Sequence, residues 1–193
     1  MTRDNPIGRK PGAWWAAFAM ALLAPLLLGA RQTSPGAGPV IVLDTAKGTI
    51  EFETYPEEAP KTVAQIVSLV KRNFYNGLRF HRAEMGLIQV GDPTTRNMTM
   101  REWWGRAASG KPIGASEMTK KRRHLLGAVA MAYPGTDPKG ADSQFYIVTK
   151  PHPDFDGKYT VFGRVIKGME VVDKIQVADI LRKASVKEGP GVP

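Results

Sequence analysis

No cysteine occurs among the 193 residues, which excludes disulfides, thiolate nucleophiles and cysteine-ligated zinc, and removes cysteine usage as a guide to compartment. Histidine is nearly as scarce. His81, His124 and His152 are scattered without the spacing of metal ligands, so each reads as a surface or hydrogen-bonded structural residue and no metal is expected. The sequence also lacks a G-x-S-x-G elbow, a G-x-x-x-x-G-K-[ST] loop and a G-x-G-x-x-G turn between a strand and a helix. Serine-hydrolase and nucleotide chemistry are thereby set aside. Glu57, Glu58, Asp154 and Asp156 lie beside turn residues, where carboxylates are solvated or cap backbone, so they make a poor acid/base pair. There is no internal repeat.

What is present suffices for one domain with some chain left over: 42% of the residues are hydrophobic. The net charge is +9, of which Arg3, Asp4, Arg9, Lys10 and Arg31 account for +3. The remaining +6 is basic without being extreme, and specific nucleic-acid binding is not expected of it. Arg3, Arg9 and Lys10 precede an apolar run from Ala13 to Ala30, broken by Pro25 and closed by Arg31, the layout of a secretory signal. At about 18 residues the run is also long enough to span a bilayer. Leu28-Gly29-Ala30 half meets the small-x-small preference of a cleavage site, so a cleaved signal and a retained anchor both stay open. On either reading residues 1–31 are a leader or anchor helix, 32–39 a Pro/Gly-rich linker, and the domain is exported, either periplasmic or anchored outside the cytoplasm. Membrane contact is expected only through the uncleaved leader.

From Val40 the pattern alternates as half-buried strands do, with Val40 to Leu43 and Thr49 to Thr54 joined by a turn at Asp44 to Gly48, a predicted hairpin. Pro60 opens a helical spacing of Val63, Ile66, Val67, Val70 and Phe74, with Asn76-Gly77 as its expected stop. Leu78 to Gly91, Gly127 to Ala132, Ser143 to Thr149 and Tyr159 to Ile166 read as strands. Met169 to Ile175, introduced by Gly168, reads as a short second helix. Many short strands and two helices predict a mainly β barrel or sandwich over residues 40–187, with a short tail at 188–193.

Four blocks then occur in order: Phe80-His81-Arg82 through Gln89-Val90-Gly91-Asp92-Pro93, Gly127 to Ala132, Ser143 to Val148, and Asp156 to Val165. Together they resemble the cyclophilin family, whose signature runs F-H-R and then Q-G-G-D-P. The resemblance implies a closed eight-strand antiparallel barrel flanked by two α-helices, with a proline-binding groove on its outer face. It also implies a peptidyl-prolyl cis/trans isomerase that acts, as a monomer, on proline-containing polypeptides and assists their folding.

That chemistry suits a chain without nucleophile or metal. Rotation about a peptide bond faces a barrier of about 18–20 kcal/mol, while cis and trans X-Pro forms differ by only about 0.5–1 kcal/mol. No bond breaks, so no cofactor is expected. The work falls to an apolar slot and a donor that favours the twisted amide. The resemblance assigns that donor to Arg82, hydrogen bonding to Gln89 and Gln144, a small wall to Ala132, and the apolar pocket to Tyr146, Phe155 and Tyr159. Period 2 places Gln144 and Tyr146 on one strand face and Phe145 and Ile147 on the other. It places Arg82 on the same face as Phe80, a conflict that a bulge would resolve.

The sequence departs from the pattern in three places. The segment between Arg82 and Asp92 is one residue short and lacks the usual aromatic at Gly86 or Leu87, so Leu87 is expected to fill the pocket. Asp154 replaces a Trp or His, and a longer Arg-, Met- and Trp-containing stretch through Trp103-Trp104 replaces a Gly-rich loop. The missing aromatic supports an alternative, a catalytically weak or inactive proline-peptide binding module or chaperone. Arg96, Arg101, Arg106, Lys111 and the run Lys120 to Arg123 support a third reading, adhesion to an anionic surface.

Overall fold

The computed structural model describes residues 37–187. The leader or anchor at 1–31, most of the linker and the tail at 188–193 lie outside the described residues. Strands β1 (Val40–Thr45) and β2 (Gly48–Thr54) form the expected hairpin, in register from Val40 opposite Glu53 to Thr45 opposite Gly48. Their inward residues Ile41, Leu43, Ile50 and Phe52 are fully buried. Helix α1 (Pro60–Lys71) starts on a proline, whose missing N–H is no loss in a first turn, and buries Val63, Ile66, Leu69 and Val70 in the same core. Ala59 offers the helix no side-chain cap. Glu117, far along the chain, supplies one by accepting the N–H groups of Lys61 and Thr62 at 2.9 and 2.8 Å. The helix stops before the expected Asn76-Gly77. Asn73 turns left-handed at φ 58°, and Phe74 and Tyr75 leave the helix to pack edge to face at 5.3 Å.

The stretch expected as one strand from Leu78 to Gly91 is three: β3 (Leu78–Arg79), β4 (Arg82–Glu84) and β5 (Leu87–Val90). After two 3-10 turns, Pro93–Arg96 and Met98–Trp103, come β6 (Ala128–Met131), β7 (Phe145–Val148), β8 (Val161–Lys167), helix α2 (Met169–Val172) and β9 (Ile180–Lys187). Strand β9 was not legible in the sequence. Its buried residues Leu181 and Ala184 lie three apart because its pairing with β1 shifts register between Asp44 and Thr45, which breaks the period of two.

All strands join one curled antiparallel sheet in the order β3-β9-β1-β2-β8-β6-β7-β5-β4. This corrects the expected eight-strand closed barrel: the described residues contain nine strands, and the edge strands β3 and β4 are not paired with each other. They are consecutive stretches of chain separated by Phe80 and His81. The Phe80 N–H donates to the Asp179 carbonyl at 3.0 Å, beside β9, whereas the His81 N–H donates to the Gln89 carbonyl on β5 at 3.1 Å. The backbone changes partners between these two residues, so covalent chain spans the gap where a ladder was expected. The same change resolves the conflict over Phe80 and Arg82. Phe80 is buried in the core, and Arg82, beyond the interruption, lies on the outer face.

Candidate active site

Register across four strands builds a row of side chains on the outer face. Arg82 on β4 lies opposite Gln89 on β5, Gln89 opposite Tyr146 on β7, and Tyr146 opposite Ala130 on β6. The alternate residues Ile88, Val90, Phe145 and Ile147 belong to the main core, as the alternation predicted for Phe145 and Ile147. A pocket of about 180 Å³ opens over this row, and seven of the eight expected residues line it: Arg82, Leu87, Gln89, Ala132, Tyr146, Phe155 and Tyr159. Tyr133, which sequence reasoning did not single out, completes the lining. Its ring lies 5.0 Å from that of Tyr159.

The eighth expected residue, Gln144, lines an adjoining cavity of about 350 Å³ that shares Gln89, Ala132 and Tyr133 with the pocket. Gln144 Oε1 accepts from Gln89 Nε2 at 2.8 Å, and its own Nε2 donates to the Gly105 and Ala107 carbonyls at 3.0 and 2.7 Å. The same two residues are held in turn by Asp92, fully buried, whose Oδ2 accepts the N–H groups of Gly105 and Ala107 while Oδ1 accepts from Thr94. The signature aspartate thus shapes the loop that orients Gln144. Close approach of Gly91 to the Ser143 backbone leaves no room for a Cβ there, which brings β5 and the start of β7 into register.

Arg82 is accessible. The Arg82 side chain is 37% exposed, with Nε 3.4 Å from Glu84 Oε1 and Nη2 3.6 Å from Met85 Sδ. Exposed contacts of this kind contribute about 0–1 kcal/mol, so they hold the guanidinium only weakly. The pocket walls are aromatic and mutually tilted: Phe155 and Tyr159 rings lie 5.1 Å apart, Tyr146 and Tyr159 5.8 Å. Burial pushes the Tyr146 hydroxyl far above the ordinary range, with Tyr159 next in effect, so it does not act as an acid or base near neutrality.

Sequence reasoning also missed His124 and Asp156, which support Tyr146 from below. His124 sat at the end of a basic run, and its partners lie 22 and 32 residues away, so no local pattern marks it. The run itself is only partly solvated: Lys121 and Arg122 both reach Glu58 at 2.8 Å, and Arg122 lies 3.7 Å over the Tyr55 ring. In the long loop, half-exposed Trp103 carries Arg106 at 4.8 Å. No group of metal-ligating side chains occurs among the described residues.

Comparison with known proteins agrees with this geometry. The family described as "Cyclophilin type peptidyl-prolyl cis-trans isomerase/CLD" matches residues 40–190. A "Probable peptidyl-prolyl cis-trans isomerase" of Brucella abortus is 36% identical over 178 residues, 89% of this chain and 90% of that protein. "Peptidyl-prolyl cis-trans isomerase B" of Bacillus subtilis is 36% identical over 138 residues, 72% of this chain and 90% of that protein. Among solved structures, a cyclophilin type peptidyl-prolyl cis-trans isomerase of Cryptosporidium parvum superposes with a TM-score of 0.68 at 24% identity, covering 79% of this chain and 99% of the other. The same Cryptosporidium protein, crystallised in the presence of the dipeptide Ala-Pro, gives 0.67 at 22% identity over 78% and 99%. With the family matched across the whole described domain and the outer-face row in place, the chain belongs to the cyclophilin-type peptidyl-prolyl cis-trans isomerases.

Proposed function

We propose that the pocket beside Arg82 binds the proline of an X-Pro segment and that Arg82 stabilises the rotating amide. The observation that carries this is the register Arg82-Gln89-Tyr146, which sets a guanidinium at the rim of an aromatic-walled slot. As the bond twists, the prolyl nitrogen regains its lone pair, and a planar donor fork at the rim favours that state over either planar isomer. Tyr146, Phe155, Tyr159 and Leu87 supply apolar surface for the ring. Gln89, held by Gln144, offers hydrogen bonding beside it. The solved relative crystallised with Ala-Pro supports a proline-containing peptide as the partner class.

Removing a donor aimed at a transition state costs about 2.7–4 kcal/mol, roughly a hundredfold to a thousandfold in rate. Arg82→Ala is expected to show that loss in an X-Pro peptide turnover assay, and Arg82→Lys to recover only a small part of it, since a point charge does not replace the fork. Turnover of the Lys variant at the parental rate, or a loss below about threefold in a folded Ala variant, would remove Arg82 from this role.

We further place the domain outside the cytoplasm, acting on exported polypeptides as a monomer. Support comes from the basic and apolar layout of residues 1–31, which lie outside the described residues. A chain that begins at residue 32 is expected to remain in the cytoplasm on cell fractionation.

A further inference from the structure

Below the pocket lies a set of polar groups that the isomerisation chemistry does not use. His124 is 1% exposed and is ringed by three of the pocket walls. Tyr146 lies nearly parallel to it at 6.0 Å, while Phe155 and Tyr159 meet it edge-on at 5.8 and 6.2 Å. Its Nε2 is 3.0 Å from the Tyr146 hydroxyl and its Nδ1 3.0 Å from Asp156 Oδ1. The same carboxylate oxygen accepts the backbone N–H of His124 at 2.7 Å. An ionised carboxylate can only accept, so Nδ1 carries a proton. In the neutral ring Nε2 then accepts from the Tyr146 hydroxyl.

Three separate parts of the chain meet in this relay. Tyr146 belongs to β7, His124 to the loop before β6, and Asp156 to the loop that carries Phe155 on one side and Tyr159 on the other. We propose that His124 and Asp156 are positioning residues of the isomerase, whose relay with Tyr146 holds the three aromatic walls in one arrangement and commits the tyrosine hydroxyl downward, leaving apolar ring surface for proline. The proposal rests on the reading of the Arg82 pocket as the active site.

The relay as drawn requires a neutral imidazole. Burial among the rings of Tyr146, Phe155 and Tyr159 disfavours the cation most, and His152 adds to that. Asp156 and, more weakly, Asp154 favour it; the balance leaves His124 below its ordinary value. Arg123, its neighbour in sequence, acts instead on Asp156. That carboxyl feels burial pulling it upward, yet the backbone and ring N–H groups of His124 hold it below the usual range. If the ring is forced to protonate, the Tyr146 oxygen must turn to accept from Nε2–H, and the hydroxyl hydrogen is left without a partner among the described residues.

The test is made on the full chain with an X-Pro peptide assay. Replacing His124 by Leu strands a buried hydroxyl, so KM is expected to rise about tenfold while kcat changes by less than about twofold. The double variant His124→Leu, Tyr146→Phe leaves no hydroxyl stranded and is expected to recover most of the loss. Parental KM in folded His124→Leu, or strictly additive effects in the double variant, overturns the proposal. Should His124→Leu fail to fold, nitrogen NMR of the parental ring and the pH profile of Asp156→Asn decide. Expected are a ring protonated at Nδ1 and not at Nε2, and an acid limb of kcat/KM below about pH 6.5 that moves lower in Asp156→Asn, because loss of the carboxylate further disfavours the cation. The opposite tautomer, or an unmoved limb, overturns it. Arg82→Ala run alongside separates the two readings: full turnover there removes the pocket assignment itself, whereas a large loss there with parental relay variants removes the relay alone.

Discussion

At Gly86 the backbone takes φ 81°, and a Cβ there would lie 2.7 Å from His152 Nε2. That space is filled by the His152 ring, which stacks on Phe155 at 4.6 Å and 10° and whose Nε2 meets the Met85 carbonyl at 2.7 Å. Aromatic surface beside Phe155 therefore comes from a residue nearly seventy positions along the chain, in place of the missing ring of the family pattern. Leu87 is 3% exposed and packs with Ala130, Tyr146, Val148 and Val161, so it forms pocket floor and core at once. Leu87→Phe overfills this site and is expected to destabilise the fold by about 1–3 kcal/mol without raising turnover. Urea titration with parallel peptide kinetics checks this; a stable, faster variant would mean that the position opens into the groove. The faces of Gln144, Tyr146, Phe145 and Ile147 were legible in the sequence, because burial of one sheet face imposes a period of two. His152 was not, since nothing local records which loop folds over Gly86.

Helix α1 shows the same division among elements. Its apolar spacing and its starting proline are written locally, but it has no acidic residue in its first turn and no N-cap side chain. The orphan N–H groups of Lys61 and Thr62 are met by Glu117, whose carboxylate also lies at the positive end of the helix. Glu117→Ala is expected to cost about 0.5–2 kcal/mol, read as a lower urea midpoint at unchanged slope. An unchanged midpoint would show that water caps the helix equally well. The β4-β5 hairpin is a second case. Met85 and Gly86 both have positive φ, 51° and 81°, as a two-residue turn with the twist of its strands requires. Met-Gly is a weak signal for such a turn, which is why one long strand was expected there.

At the scale of the whole molecule, the domain carries its own core, and the end of the linker is already tied to it, the Gly38 N–H donating to the Thr54 carbonyl at 2.8 Å. A chain that begins at residue 32 is therefore expected to unfold as one cooperative transition and to turn over X-Pro peptides like the full chain, while losing export. Loss of cooperativity would show that the leader contributes to the core, and continued export would remove its role as a targeting segment. The sequence by itself determined the separation of core face from groove face on β7 and the two helices, because each follows from periods of two or 3.6 within short stretches, while the ordered signature blocks and the candidate donor Arg82 came through the family resemblance they carry. Only the tertiary structure decided that the chain changes partners at Phe80 and His81, that Glu117 caps α1, and that Tyr146, His124 and Asp156 share one relay. Each of these is a hydrogen bond between groups far apart along the chain, made when loops bring buried donors and acceptors together, and such a pairing leaves no periodic mark in either stretch.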